Sequence, residues 1–166
     1  YASPGIGTLQ HLAFELFKRQ AGVDAVHVPY KGASAMMPDL MSGQVPIGVI
    51  SATVAVAQAK SGKIRALAVT SPQRLPGAPE IPALAETLPG FDASPNVFVV
   101  APTGTPSAIV QKLQLEKILA APDVLESFAR FGATATPLAP DELGRRIAAE
   151  TGRWATVVRD AGIKAE

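Results

Sequence analysis

Ser3-Pro4-Gly5-Ile6-Gly7-Thr8 places two hydroxyls and two glycines directly ahead of a helical pattern, a combination suited to an anion. The glycines permit close backbone approach, and the start of a helix presents unpaired N–H groups with a favourable dipole. The stretch lacks the Walker lysine and, with two glycines only, the dinucleotide fingerprint. An anion cradle and a plain tight turn both fit it. Pro29-Tyr30-Lys31-Gly32-Ala33 again brings a glycine, now with a cation, to the opening of a helix. Lys31 reads equally as a ligand contact or a solvated charge, and Tyr30 as a site wall or an amphipathic core-edge residue. Ser51-Ala52-Thr53 follows a strand pattern and is either a third wall or only an N-cap. Such turns meet at the carboxyl ends of strands in an α/β sheet, where ligands bind.

The other chemistry-bearing residues point to structure. No Ser or carboxylate stands at triad spacing from His11 or His27, so both read as satisfied structural histidines. Glu15, Asp141 and Glu142 read as dipole complements or solvated charges, and Met36, Met37 and Met41 as core. The absence of cysteine excludes a disulfide scaffold, a thiolate metal site and a cysteine nucleophile. No catalytic residue, metal or cofactor is expected.

The elements that must position the three turns follow from periodicity. Thr8 caps a helix in which Leu9, Leu12, Ala13, Leu16 and Phe17 recur at spacings of three and four, and Gly22 stops it. Residues 26–28 read as a strand closed by Pro29. A second helix carries Met36, Met37, Leu40 and Met41 on one face and stops at Gly43. A strand over 45–50, a helix over 53–61 and a buried strand over 64–70 follow. Pro46 and Gly48 are unusual inside a strand, because proline forfeits a ladder hydrogen bond and glycine weakens the element. Strand and helix alternate across short connections, which is the pattern of a parallel sheet covered on both faces. The fold class is α/β.

Beyond residue 70 the rhythm breaks. Six prolines between 72 and 95 leave room for a short helix around 83–87 in an irregular connection. Residues 96–101 read as a buried strand. Thr105-Pro106 opens a helix over about 106–120, followed by a helix over 122–131, an extended piece at 134–137 and a long helix over 141–161 with Leu143, Ile147, Trp154, Val157 and Val158 as its stripe. These amphipathic helices need partner surfaces, and no full sheet is legible for them to cover.

The chain has 166 residues, 48% hydrophobic and 17% charged, enough apolar content to bury a core. A net charge of +1 without basic or acidic blocks leaves no electrostatic footprint for nucleic acid. No apolar run approaches a membrane span.

At its turns the sequence resembles the periplasmic solute-binding proteins of the tripartite tricarboxylate transporter type, the Bug family. The matching stretches are Tyr1 to Thr8 with His11-Leu12, Val26-His27-Val28-Pro29-Tyr30-Lys31-Gly32, Asp39-Leu40, Ser42-Gly43-Gln44-Val45, residues 62–71, Pro89-Gly90-Phe91, residues 101–106 and Ala161-Gly162-Ile163-Lys164. The resemblance implies a type II "Venus flytrap" that closes on a small carboxylate and delivers it to a membrane permease. It implies one complete lobe with a mostly parallel sheet, residues 1–95, and the crossover and C-terminal segment of the other lobe, residues 96–166. The N-terminal part of that other lobe is expected before Tyr1. Carried over by position, the carboxylate-cradling turn falls on Ser3, Gly5, Gly7 and Thr8, and the Tyr-Lys-Gly turn on Tyr30, Lys31 and Gly32 with Ala33 beside it. Ser51 and Ala52 stand where the family often has a polar pair such as Asp-Asn, which bears on ligand identity.

The expected function is a periplasmic receptor, not an enzyme, with a small carboxylate as ligand and permease subunits as partners. A ligand-sensing adaptor and an enzyme acting on an anionic substrate are the alternatives. With one lobe incomplete, weak ligand binding and self-association through uncovered apolar surface are expected.

Overall fold

The computed structural model describes residues 1–112, 115–130 and 138–164. In chain order the elements are β1 (Ala2–Ser3), α1 (Leu9–Ala21), β2 (Val28–Pro29), α2 (Ala33–Ser42), α3 (Ala52–Lys60), a 3₁₀ turn (Leu84–Glu86), α4 (Ser107–Lys112), α5 (Leu115–Leu119), α6 (Pro122–Arg130) and α7 (Pro140–Asp160). The extended piece expected at 134–137 lies outside the described residues.

The sheet is short and parallel. β1 pairs with β2, Ala2 opposite Val28 and Ser3 opposite Pro29. On its other side Ala2 bridges Gly48, donating to the Ile47 carbonyl at 2.9 Å and accepting from the Val49 N–H at 3.1 Å. The strand expected over 45–50 is therefore a single bridge. The Val45 N–H, on the side of the strand that faces β1, donates instead to the Asp39 carbonyl at 3.2 Å. The glycine at position 48 has a packing reason: a Cβ there would lie 3.3 Å from Met36 Cε and 3.4 Å from Leu40 Cδ2. Its absence seats α2 directly on the sheet, where Ala2, Met36 and Val45 form a buried cluster. Met36 is fully buried and Met41 is exposed, so the methionine stripe is core at one end only.

The strand expected over 64–70 also shrinks to one bridge, and it pairs elsewhere: Val69 meets Ala83 through Pro82 and Leu84. The proline-rich stretch that follows is ordered around this contact. Val69, Ala78, Ile81 and Ala83 make a second cluster. The Arg74 guanidinium grips Glu86 with two bonds of 2.7 and 2.8 Å and also donates to the Pro79 carbonyl, while Glu86 accepts from the Ala83 N–H. That two-point grip, with the Ala83 N–H, holds the Glu86 carboxyl down to about 2.

Residues 96–101 form no strand. Val97 is 93% and Val100 81% exposed, and no neighbouring strand offers them a ladder among the described residues. An apolar, β-prone run without a partner gains nothing from extending. The helix expected over 106–120 is recorded as α4 and α5, and Ile109, Ile118, Leu125 and Phe128 along α4 to α6 stay exposed.

The long last helix finds its partner. α7 lies on α1, with Trp154 packing against the cluster of Ala13, Phe91 and Ala93. Arg153 donates to the Asp92 carbonyl at 2.6 Å and stacks over the Trp154 ring, and Arg19 pairs with Asp160 at 2.7 Å. No helix among the described residues is long and apolar enough to cross a membrane.

Phe91 is fully buried at the centre of this third cluster. Phe91→Ala should cost about 3–5 kcal/mol in urea unfolding. It should also red-shift Trp154 emission as α7 loosens, and an unchanged midpoint would place the contact outside the stabilising core.

Candidate functional site

The parallel pairing brings three strand ends to one edge of the sheet, with the N-termini of α1, α2 and α3 following them. The first two turns are hydrogen-bonded to each other. The Tyr30 N–H donates to the Ser3 carbonyl at 3.0 Å, and the Gly32 N–H to the Pro4 carbonyl at 2.8 Å. A Cβ on Gly5 would already touch the Tyr30 carbonyl at 3.4 Å. The third turn is tied in through the Ala2–Gly48 bridge, three residues before Ser51.

The side chains of the first turn face inward to its own backbone. Ser3 is fully buried, and its Oγ lies 2.7 Å from His27 Nε2, 3.1 Å from the Gly5 carbonyl and 3.3 Å from the Gly5 N–H. Thr8 caps α1: its Oγ1 accepts from the His11 N–H and donates to the Gly5 carbonyl at 2.8 Å. Gly7 sits at φ 73°, the left-handed region, and its N–H donates to His11 Nδ1 at 3.1 Å. What remains open is backbone. Leu9 and Gln10 in α1, Ala33, Ser34 and Ala35 in α2, and Ala52 and Thr53 in α3 are helix-start N–H groups with no acceptor inside their own helices. The sequence pattern pointed to both the hydroxyls and the helix-start N–H groups; in the fold the hydroxyls are taken up by the turn itself and the N–H groups are left.

In the second turn, Gly32 at φ 99° is the N-cap of α2 and gives it no side-chain cap. Lys31 is exposed. The Tyr30 hydroxyl donates to Asp39 Oδ2 at 2.7 Å, and this bond raises the phenol's pKa. In the third turn, Ser51 is exposed and its Oγ lies 3.3 Å from Thr53 Oγ1, leaving the N-terminus of α3 uncapped by a side chain. Ala52 contributes backbone only.

Beside this edge runs an aromatic stack. His11 and His27 lie face to face, centroids 3.8 Å apart, and Tyr1 stacks on both Phe14 and His27. The Tyr1 hydroxyl donates to Glu15 at 2.6 Å. Burial is the main force lowering both imidazoles' pKa values, and the neighbouring ring helps to carry His27 down to about 4. A cavity of about 470 Å³ opens along this flank, lined by Ile6, His11, Glu15, Lys18, His27 and residues 161–164. It lies along α1, away from the helix starts of α2 and α3. Among the described residues no cluster of His, Asp or Glu could hold a metal ion.

The arrangement has the layout of an α/β binding lobe, and solved structures place it in a class. The chain superposes on Rpa4515 of R. palustris with adipate (TM-score 0.83, 34% identity, 98% of this chain and 56% of that one). It also superposes on the periplasmic binding protein BugD (TM-score 0.73, 31% identity, 99% and 57%) and on MatC of Rhodopseudomonas palustris with bound malate (TM-score 0.67, 29% identity, 95% and 55%). These are periplasmic binding proteins and carboxylate-bound relatives of them, and the fold is theirs. Residues 1–163 match the family described as the tripartite tricarboxylate transporter family receptor, TctC, and the chain belongs to that family. Among curated relatives it is 40% identical over 162 residues to a UPF0065 protein from the tcbD–tcbE intergenic region of a Pseudomonas species, covering 95% of this chain and 48% of that protein. It is 36% identical over 167 residues to BugT of Bordetella pertussis, covering 99% and 51%. The chain thus spans about half the length of these two relatives. The family is one of receptors, not enzymes.

Two outcomes test the geometry. Thr8→Val removes the cap and should lower stability by about 1 kcal/mol in chemical denaturation; no loss would mean that the Thr8 hydroxyl is solvated. The pKa of His27 is lower in the folded than in the unfolded chain, so the folded state binds fewer protons between about pH 4 and the ordinary value of 6.5. Stability is full above that window and is lost as pH falls through it. The contribution is about 1 kcal/mol after discounting for the ring's solvent contact. His27→Gln, which keeps a partner for Ser3 and cannot titrate, should flatten the fall in Tm, and an equal fall in both proteins would exclude His27 as its source.

Proposed function

We propose that this chain carries the ligand-recognising turns of a periplasmic receptor that captures a small carboxylate and delivers it to a permease of the tripartite tricarboxylate type. The observation that carries the reading is the convergence of three helix N-termini on one sheet edge, their first N–H groups free of intrahelical acceptors. A carboxylate offers two oxygens with four lone-pair directions, and helix-start N–H groups supply donors with a favourable dipole. Gly5, Gly7 and Gly32 keep the approach free of side chains, and Tyr30, Lys31 and Ala33 form the second wall. Ser51 and Ala52 form the third, with small side chains that leave room for the far end of the ligand. Ser3 and Thr8 contribute by shaping the first turn. Residues 1–95 carry these turns, and residues 96–166 form the crossover and the segment whose α7 returns to α1.

Two structural neighbours support the ligand class, one with adipate and one with malate. A catalytic reading has less to stand on. The Ser3–His27 contact resembles a nucleophile and base, but Ser3 is fully buried and its oxygen already meets three groups.

The reading is tested by adding malate or adipate to the ¹⁵N-labelled chain at pH 7.5. The amides of Leu9, Gln10, Ala33 and Ser34 should shift saturably, with those of α7 unmoved. Shifts confined to the cavity along α1, or none with either acid, would reject it.

A further inference from the structure

We propose that His11 and His27 are positioning residues of the first turn, and that His11 holds the turn in its anion-facing shape only while its ring is neutral. The inference rests on the carboxylate reading of that turn and adds to it a pair of residues that touch no ligand. Its basis is where each ring's hydrogen bond goes. His11 Nδ1 lies 3.1 Å from the Gly7 N–H, which can only donate. Nδ1 must therefore present a lone pair, and the proton of the neutral ring sits on Nε2. A proton added at Nδ1 would face the Gly7 N–H donor to donor, and the bond that holds Gly7 would be lost. His27 Nε2 lies 2.7 Å from Ser3 Oγ, and the same oxygen contacts the N–H and carbonyl of Gly5. The two rings thus hold the two glycines of one turn, one directly and one through Ser3.

The stack couples them. At 3.8 Å and 14° between planes, a charge on one imidazole repels a charge on the other, so charging either ring opposes charging its neighbour. The charged groups that face it are few. Glu15 and Lys18 reach it from α1, the Tyr1 ring from just ahead of β1, and Lys164 lines the same cavity from beyond α7. Glu15, the one acid, already accepts from the Tyr1 hydroxyl at 2.6 Å and from Lys18 Nζ at 3.1 Å. No uncommitted anion among these groups waits to receive an imidazolium. Burial in the same stack lowers both pKa values, in keeping with neutral rings at pH 7.

The test follows the Gly7 amide and the imidazole resonances of this chain by NMR between pH 7.5 and 4.5. The Gly7 signal should move with the midpoint of His11, below the ordinary 6.5. A Gly7 amide indifferent to that titration would overturn the proposal without need of a variant. His11→Asn retains an acceptor near the position of Nδ1 but cannot titrate, and should keep Gly7 protected from hydrogen exchange across the range. His11→Phe retains the stack but not the acceptor; it should lose that protection at every pH and weaken malate or adipate binding by about tenfold at pH 7.5. Wild-type protection in His11→Phe would reduce His11 to packing and overturn the proposal. Failure of the carboxylate reading shows differently: Gly7 tracks His11, yet neither acid shifts the turn amides at pH 7.5.

Discussion

The whole edge depends on Ala2. Its N–H and carbonyl bond to one side, at Ile47 and Val49, while the flanking Tyr1 and Ser3 carbonyls accept from Val28 and Tyr30 on the other. β1 is therefore the middle strand of the sheet through Ala2, and the three turns stand in register because they leave three segments pinned at that point. Little else sets their spacing. The elements are two residues long or shorter, so the register comes from a handful of backbone bonds and from α2 resting on the bare backbone of Gly48. A side chain at position 48 would press on α2, whose first N–H groups line the edge.

Much of this was readable from residue types. The N-cap at Thr8, the stops at Gly22 and Gly43, and the α2 face carrying Met36 and Leu40 all follow from local rules, and the structure shows each of them. Residues 1–163 match a family whose resemblance the turns already carried. The strands were overread for a common reason. Residues 45–50, 64–70 and 96–101 have strand-like composition, but a ladder needs a partner at the right height, and sequence does not say where one is. The Val45 N–H of the first goes to Asp39, Val69 goes to Ala83, and residues 96–101 meet no ladder among the described residues.

The three turns of the candidate site were legible in the sequence, and the fold brings them together. Ser3 and Thr8 stood out for their hydroxyls, yet those oxygens are occupied by Gly5, His11 and His27. The donors left over are the helix-start amide groups that the sequence pattern also pointed to, and only the fold shows that three helices bring theirs to one edge. Both histidines are satisfied, as their isolation in the sequence suggested, and their partners are the turn itself. That His11 meets His27 could not be read from a spacing of sixteen positions, because it depends on α1 folding back over β1.

The docking of α7 has a consequence for how the molecule is made. Arg19 and Asp160 are 141 positions apart, and Trp154 closes over Ala13 from the same separation. Contacts this far apart in sequence carry a high loop-closure cost and form late. During synthesis α1 is complete long before its cover exists, and its apolar face waits uncovered until α7 has emerged. The interval between those two events is when this protein is most exposed to aggregation, and a factor that shields the α1 face during it would act on the yield of folded protein without touching its final stability.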